Sequence, residues 1–167
     1  DSIRPEDFRN WSSERQQAAL PALLVEFDRG VVDGDYERAD EVRNMLVQIG
    51  KPAVGPLTDR VVNPSPSPSG FSMSPSAASD VQALNALREI GPAAAPAAKR
   101  IVDFIADKPT AHDTHARYQL VAALSDIEPD AAKRVALLTP LLKTKASPVA
   151  ADALAGIGPP ATSAVDA

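Results

Sequence analysis

An eight-residue phrase, Leu-x-x-Ile-Gly-Pro-x-Ala, recurs along this chain and constrains its fold more than any other feature. It stands at residues 87–94 and again, as Leu-Ala-Gly-Ile-Gly-Pro-Pro-Ala, at 154–161. A looser copy at 46–53 keeps Gly50 but sets Lys51 before Pro52, and another at 124–131 has Glu128 where the glycine stands. The isoleucines of the four copies lie 41, 37 and 30 residues apart. Periods of this size are the mark of stacked supersecondary units.

Each copy has the chemistry of one helix ending and another beginning. Before the second copy, Val81, Leu84, Leu87 and Ile90 recur every three residues and make one apolar stripe, with Ser79 or Asp80 as its cap. Gly91 suits a left-handed helix end, and Pro92 starts the next helix at a position where its missing N–H costs nothing. That helix carries Ala94, Ala97 or Ala98, Ile101 and Ile105, and Lys108-Pro109 stops it. The preceding unit reads alike, with Ala39, Val42, Leu46 and Ile49 on the first helix and Val54, Leu57 and Val61 on the second. In the following unit Ala116, Leu120, Ala123 or Leu124, and Ile127 come first, then Ala131, Val135, Leu138 and Leu142. Pro140 should end or kink that last helix, and the turn at Glu128 should differ from its glycine counterparts. The sequence therefore predicts an all-α chain without a sheet, broken at Gly50-Lys51, Gly91-Pro92, Glu128-Pro129 and Gly158-Pro159.

Three stretches depart from the repeat. Upstream, Ala18–Leu24 reads as a helix of an earlier unit with Ser13 and Gln16 as a capping box, and Phe8 and Trp11 are expected to cover the open end. Residues 63–78 are an uncharged Pro/Ser-rich run, expected to be a mobile loop or, if it folds on a partner, one anchored by Phe71 and Met73. At the far end the stripe of Ala161, Ala164 and Val165 stops with Ala167. An unfinished face is expected there, with Leu154, Ile157 and Val165 covered by further repeats, a partner or a second copy. The organisation expected is one continuous array: a cap and first helix pairs over 1–62, the loop, and continuing pairs over 79–167.

Composition narrows the function. Hydrophobic residues are 44% of the chain but aromatics only 4%, a balance that suits close helix packing. With no cysteine, disulfides, thiolate catalysis and zinc–thiolate sites are excluded. A net charge of −5 without a basic stripe argues against nucleic acid. No run approaches the ~18 apolar residues of a membrane span, so no membrane insertion is expected.

Helix pairs joined by Ile-Gly-Pro, with a second proline four residues on (Pro92 and Pro96, Pro52 and Pro56), resemble HEAT repeats. The nearest variety is the short, alanine-rich type named for phycobilisome lyase subunits. The resemblance covers residues 35–62 and 79–167, with an echo at 12–30. It implies a short right-handed α-solenoid of about four antiparallel helix pairs, whose second helices line a concave partner-binding face. Enzymes of the wider family carry marks that this chain lacks: the His-Glu pairs of di-iron hydroxylases, and the basic, aromatic groove of DNA-glycosylase relatives.

Candidate chemistry is sparse. His112-Asp113-Thr114-His115 has metal-ligand spacing but too few donors, and reads better as a loop entering a helix. Asp33-Gly34-Asp35 lacks the closing glutamate of a calcium loop and reads as a turn with a helix cap. No nucleophile–base set or phosphate loop is visible, so neither a metal nor a cofactor is expected. Asp59-Arg60 and Lys99-Arg100 hold equivalent places after Pro56 and Pro96, and with Lys133 and Arg134 they form the predicted concave charged stripe. The expected function is a non-catalytic scaffold that binds a protein or peptide, with an accessory or lyase-type subunit holding a chromophore or metal as the alternative.

Overall fold

The computed structural model describes residues 3–63, 79–107 and 114–161. Among them are ten α-helices, three 3₁₀ turns and no strand. Three of the four predicted breaks separate successive α-helices, and the fourth, Gly158-Pro159, ends an α-helix before a short 3₁₀ turn. The Pro/Ser-rich run with Phe71 and Met73, the Lys108-Pro109 stop, His112 and Asp113, and Ala164 and Val165 lie outside the described residues. Two compact units divide the chain, Asp1–Ile90 and Gly91–Ala167.

The first unit contains α1 (Pro5–Phe8), α2 (Ser13–Ala18), α3 (Leu20–Asp33), α4 (Tyr36–Ile49), α5 (Lys51–Val62) and α6 (Ser79–Ile90). The link Gly34-Asp35 turns the chain so that α4 packs along α3, and Asp35 caps α4 by accepting from the Arg38 N–H at 3.1 Å. The turn read at Asp33–Asp35 is thus a helix cap. The two helices meet closely at Gly30, where an added Cβ would stand 3.1 Å from the Ala39 backbone nitrogen and 3.2 Å from the Asp35 carbonyl oxygen. Backbone cannot yield as a side chain can, so Gly30→Ala should destabilise by about 1–3 kcal/mol, the usual cost of overpacking. Urea unfolding would measure this, and an unchanged midpoint would mean that α3 and α4 do not cross there.

α6 packs against both α4 and α5, enclosing Val42, Leu46, Leu57, Leu84 and Leu87. Ala83 and Ala86 are also buried, which widens the α6 stripe beyond its three-residue spacing. At the start of the chain Phe8 is fully buried, as expected of a cap, whereas Trp11 is half-buried with Arg15 stacked 4.1 Å from its ring. The predicted Ser13–Gln16 capping box is replaced by a different arrangement. Ser12 is the N-cap, accepting from Arg15, and the Gln16 amide donates to the Phe8 carbonyl at 3.0 Å.

Arginines tie these helices together. Arg38 donates to Glu26 of α3, to Glu41 of its own helix at 2.7 Å and to the Ile3 carbonyl at 2.8 Å. Burial works against its charge, but the bonds to Glu41 and Glu26 outweigh that and raise its pKa above the ordinary arginine value. Arg43 of α4 reaches Gln82 of α6 at 2.9 Å, and its Nε pairs with Glu89 at 3.3 Å without hydrogen-bond alignment.

The second unit contains α7 (Ala95–Asp107), α8 (Thr114–Ile127), α9 (Ala131–Leu138) and α10 (Ser147–Ile157), with 3₁₀ turns at Gly91–Ala94, Thr139–Lys143 and Pro159–Ala161. α7 packs on α8, and α10 on α8 and α9. The helix expected from Pro92 opens as a 3₁₀ turn, because Pro96 lacks the N–H that would bond the Pro92 carbonyl and its ring crowds that oxygen. α5 keeps the same proline spacing as unbroken helix. There Gly55 precedes Pro56 and has no Cβ to meet the proline ring, whereas Ala95 precedes Pro96.

Gly50, Gly91 and Gly158 all have positive φ, at 70°, 67° and 78°. Gly50 and Gly158 have ψ of −128° and −144°, which places them near the mirror-extended region and not in the left-handed helical well. Glu128 takes no positive φ. Its turn is held by side chains: the Glu128 carboxylate accepts from the Asp130 N–H at 3.2 Å, and Arg134 Nη1 donates to the carbonyls of Glu128 (3.0 Å) and Pro129 (3.3 Å). Asp130 then caps α9. As expected, α9 ends before Pro140. The 3₁₀ turn that follows advances three residues per turn, so Leu141 is buried below Leu138 and the predicted Leu142 is only half-buried.

Candidate functional site

Along α8, Tyr118, Val121, Ala122 and Ser125 fall at helical spacing on one face, and along α10 Val149, Asp152, Ala153 and Gly156 do the same. α9 contributes Arg134 and Leu138 between them. These three helices enclose a groove of about 360 Å³ within the second unit. Its depth comes from small side chains: Ala122, Ser125 and Gly156 are exposed along its rim, while Val121, Leu124, Leu138 and Val149 are buried beneath.

Gly156 has no turn to make and no neighbour to accommodate. It lies in the last turn of α10, its φ is not positive, and nothing stands within 4 Å of an added Cβ. Glycine inside a helix is destabilising by roughly 0.5–1 kcal/mol relative to alanine. Gly156→Ala should therefore raise stability by up to about that amount in thermal unfolding. A loss of stability would reveal a steric demand on Gly156 that the fold does not show.

Two polar features bracket the apolar floor. At one end the Tyr118 hydroxyl of α8 donates to Asp152 Oδ2 of α10 at 2.5 Å. This hydrogen bond is the main cause of a raised Tyr118 pKa, with desolvation and the Asp152 charge adding to it. The bond needs the neutral phenol, so folding holds the proton to higher pH than the unfolded chain does. The stability linked to it is complete below a pH of about 10, the unfolded tyrosine value, and is lost as pH rises through the raised pKa. In a phenolate absorbance titration Asp152→Asn should move Tyr118 ionisation to lower pH; an unmoved curve would remove Asp152 as the cause.

Arg134 marks the other end, its Nη1 bound to carbonyls at the C-terminus of α8. Its Nε is buried and has no hydrogen-bond partner.

The residues of the predicted charged stripe have separate situations. Arg60 grips Asp28 of α3 through Nε (2.8 Å) and Nη2 (2.6 Å), and so joins α5 to α3. Asp59 is exposed on α5. Lys99 pairs with Asp103 at 2.6 Å on the exposed face of α7, and Arg100 and Lys133 are exposed. Of the six, Arg134 alone lines the groove. Leu154 is fully buried within its own unit and not presented at an end face, while Ile157 is half-buried on the groove wall. Among the described residues no three His, Cys, Asp or Glu side chains come together as a metal set, and no helix is long and apolar enough to cross a membrane.

Sequence reasoning missed Tyr118, Asp152 and the groove itself. The available signal was small residues at helical spacing on two helices, Ala122 with Ser125 and Ala153 with Gly156. Comparison of the chain with family models, with curated proteins and with solved structures gave no match.

Proposed function

We propose that this chain is a non-catalytic interaction module, a HEAT-like array of helix pairs that receives a segment of a partner protein. The groove of α8, α9 and α10 is the binding surface in this reading. One observation carries it: Gly156 keeps open a space on the groove wall that the fold itself does not need, at a cost in helix stability. Small rim residues over an apolar floor, with a few fixed polar groups at the ends, are the make-up of a recognition site. The recurring Gly/Pro breaks and paired stripes support the solenoid arrangement.

Selection of a randomised peptide library displayed on phage against the full chain tests the reading. Binders should emerge, and Gly156→Trp, which fills the groove from its exposed rim, should weaken them at least about tenfold, a loss of ~1.4 kcal/mol. Circular dichroism and melting temperature report whether the variant stays folded. Failure to select any binder, or binders indifferent to Gly156→Trp, would exclude the groove as the binding surface.

A further inference from the structure

We infer that the partner segment received by this groove carries a lysine or arginine, whose cation seats at the Tyr118 end, against the exposed tyrosine ring and the Asp152 carboxylate. The inference deepens the preceding reading and rests on it.

Asp152 is the sole acid among the residues that line the groove. It is exposed on α10, a helix without a basic residue. Among the described residues its carboxylate makes one bond, from the Tyr118 hydroxyl to Oδ2, and Oδ1 makes none. Acids that tie the helices together are placed differently: Asp28 meets Arg60, and Glu26 meets Arg38. The base that lines the groove, Arg134, is bound to the Glu128 and Pro129 carbonyls at the far end of α8. That end lies about ten residues beyond Tyr118, or roughly 15 Å at the rise of a helix. The negative charge at Asp152 is therefore balanced by no cation of the groove itself.

The phenol holds this carboxylate in place. Tyr118 stands on α8 and Asp152 on α10, so the bond spans two walls of the groove and fixes Oδ2. Tyr118 is 41% exposed, which leaves an aromatic ring open beside the same acid. Ring and carboxylate both attract a cation, and a lysine or arginine can lay its methylene stem on the apolar floor while its head reaches them. The chain makes the aromatic half of such a contact itself, with Arg15 4.1 Å from the Trp11 ring.

Filling the groove decides the sign of the occupant's charge. A segment lying across this lip displaces water from Asp152, and a carboxylate loses stability on leaving water unless a cation takes its place. An uncharged segment leaves that loss standing, and an acidic one adds repulsion. The chain's net charge of −5 acts in the same direction, drawing basic segments in before contact. Gly156 fixes what stands beside the cation. It lies four residues beyond Asp152 on α10, about 6 Å along the helix. Extended chain covers that distance in about two residues, and residues two apart share a face. An aliphatic side chain two positions from the base thus fills the space at Gly156.

The peptides selected on the full chain provide the test. The pool should hold Lys or Arg at one fixed position, with an aliphatic residue two positions away. Changing that base to glutamine should weaken binding at least about tenfold, Asp152→Asn should do the same, and the two losses should not add. Should Asp152→Asn unfold, the wild-type Asp152 side-chain carboxylate resonance decides: it should move with the basic peptide and stay in place with the glutamine peptide. A pool without a fixed base, or basic peptides that bind Asp152→Asn undiminished, overturns the proposal. If such peptides are still blocked by Gly156→Trp, the groove reading survives; if they are not, that reading fails as well. Oligolysine that binds as tightly as the best peptide would mean general attraction to an acidic surface and also overturn the proposal.

Discussion

Replacing Phe27 by alanine is expected to lower stability by about 3–5 kcal/mol, the cost of emptying a fully buried aromatic site. Phe27 is 0% exposed in α3, the helix that α4 crosses at Gly30 and that Arg60 holds through Asp28. Backbone contact on one side and an ion pair on another leave little room for collapse, so most of the cavity should persist. Val25, two residues earlier and 59% exposed, supplies the control. Val25→Ala should fall within about 0.5 kcal/mol of wild type. The pair is to be compared by urea unfolding, and a Phe27→Ala cost near that of Val25→Ala would mean that α3 does not pack as described.

Leu154→Ala is the second large effect, at about 2–5 kcal/mol. From sequence, Leu154 belongs to an unfinished end face, where truncation would cost the isolated chain little. The structure buries it completely on the inner face of α10. Thermal or urea unfolding of the isolated chain separates the two descriptions. A loss below about 1 kcal/mol would return Leu154 to an exposed end, since surface changes seldom cost more than half that.

The helix boundaries were legible because glycine and proline act locally. A positive φ after Ile49, Ile90 and Ile157 needs only the glycine that is there, and the N-terminal position of proline needs only its ring. The stripes were legible for the same reason: 3.6-residue spacing places Leu46, Leu57, Leu87 and Ile101 inside whatever the neighbours are. Legibility ended where the pitch changes or a side chain replaces the backbone rule. Leu141 is buried in place of Leu142 because the chain passes into a 3₁₀ turn at Thr139-Pro140, and the Glu128 turn depends on Arg134, six residues away.

The candidate site was least legible. Arg60 and Arg134 were both placed in one charged stripe, yet Arg60 is held by Asp28 of α3 and Arg134 by the carbonyls of the Glu128 turn. Asp28 lies 32 residues from Arg60, and Asp152 lies 34 from Tyr118. No local pattern carries pairings at that separation. Gly156 was read only as part of the phrase before Gly158, although no turn or contact at that position requires a glycine.

The central claim, that the groove of α8, α9 and α10 receives a partner segment, is tested most directly by amide chemical-shift mapping of the ¹⁵N-labelled full chain with a selected peptide. Shifts are expected along 118–125, at Arg134 and Leu138 and along 149–157, with the Gly156 amide among the largest. Shifts confined to Asp1–Ile90, or a Gly156 amide that stays in place while the peptide saturates, would contradict it.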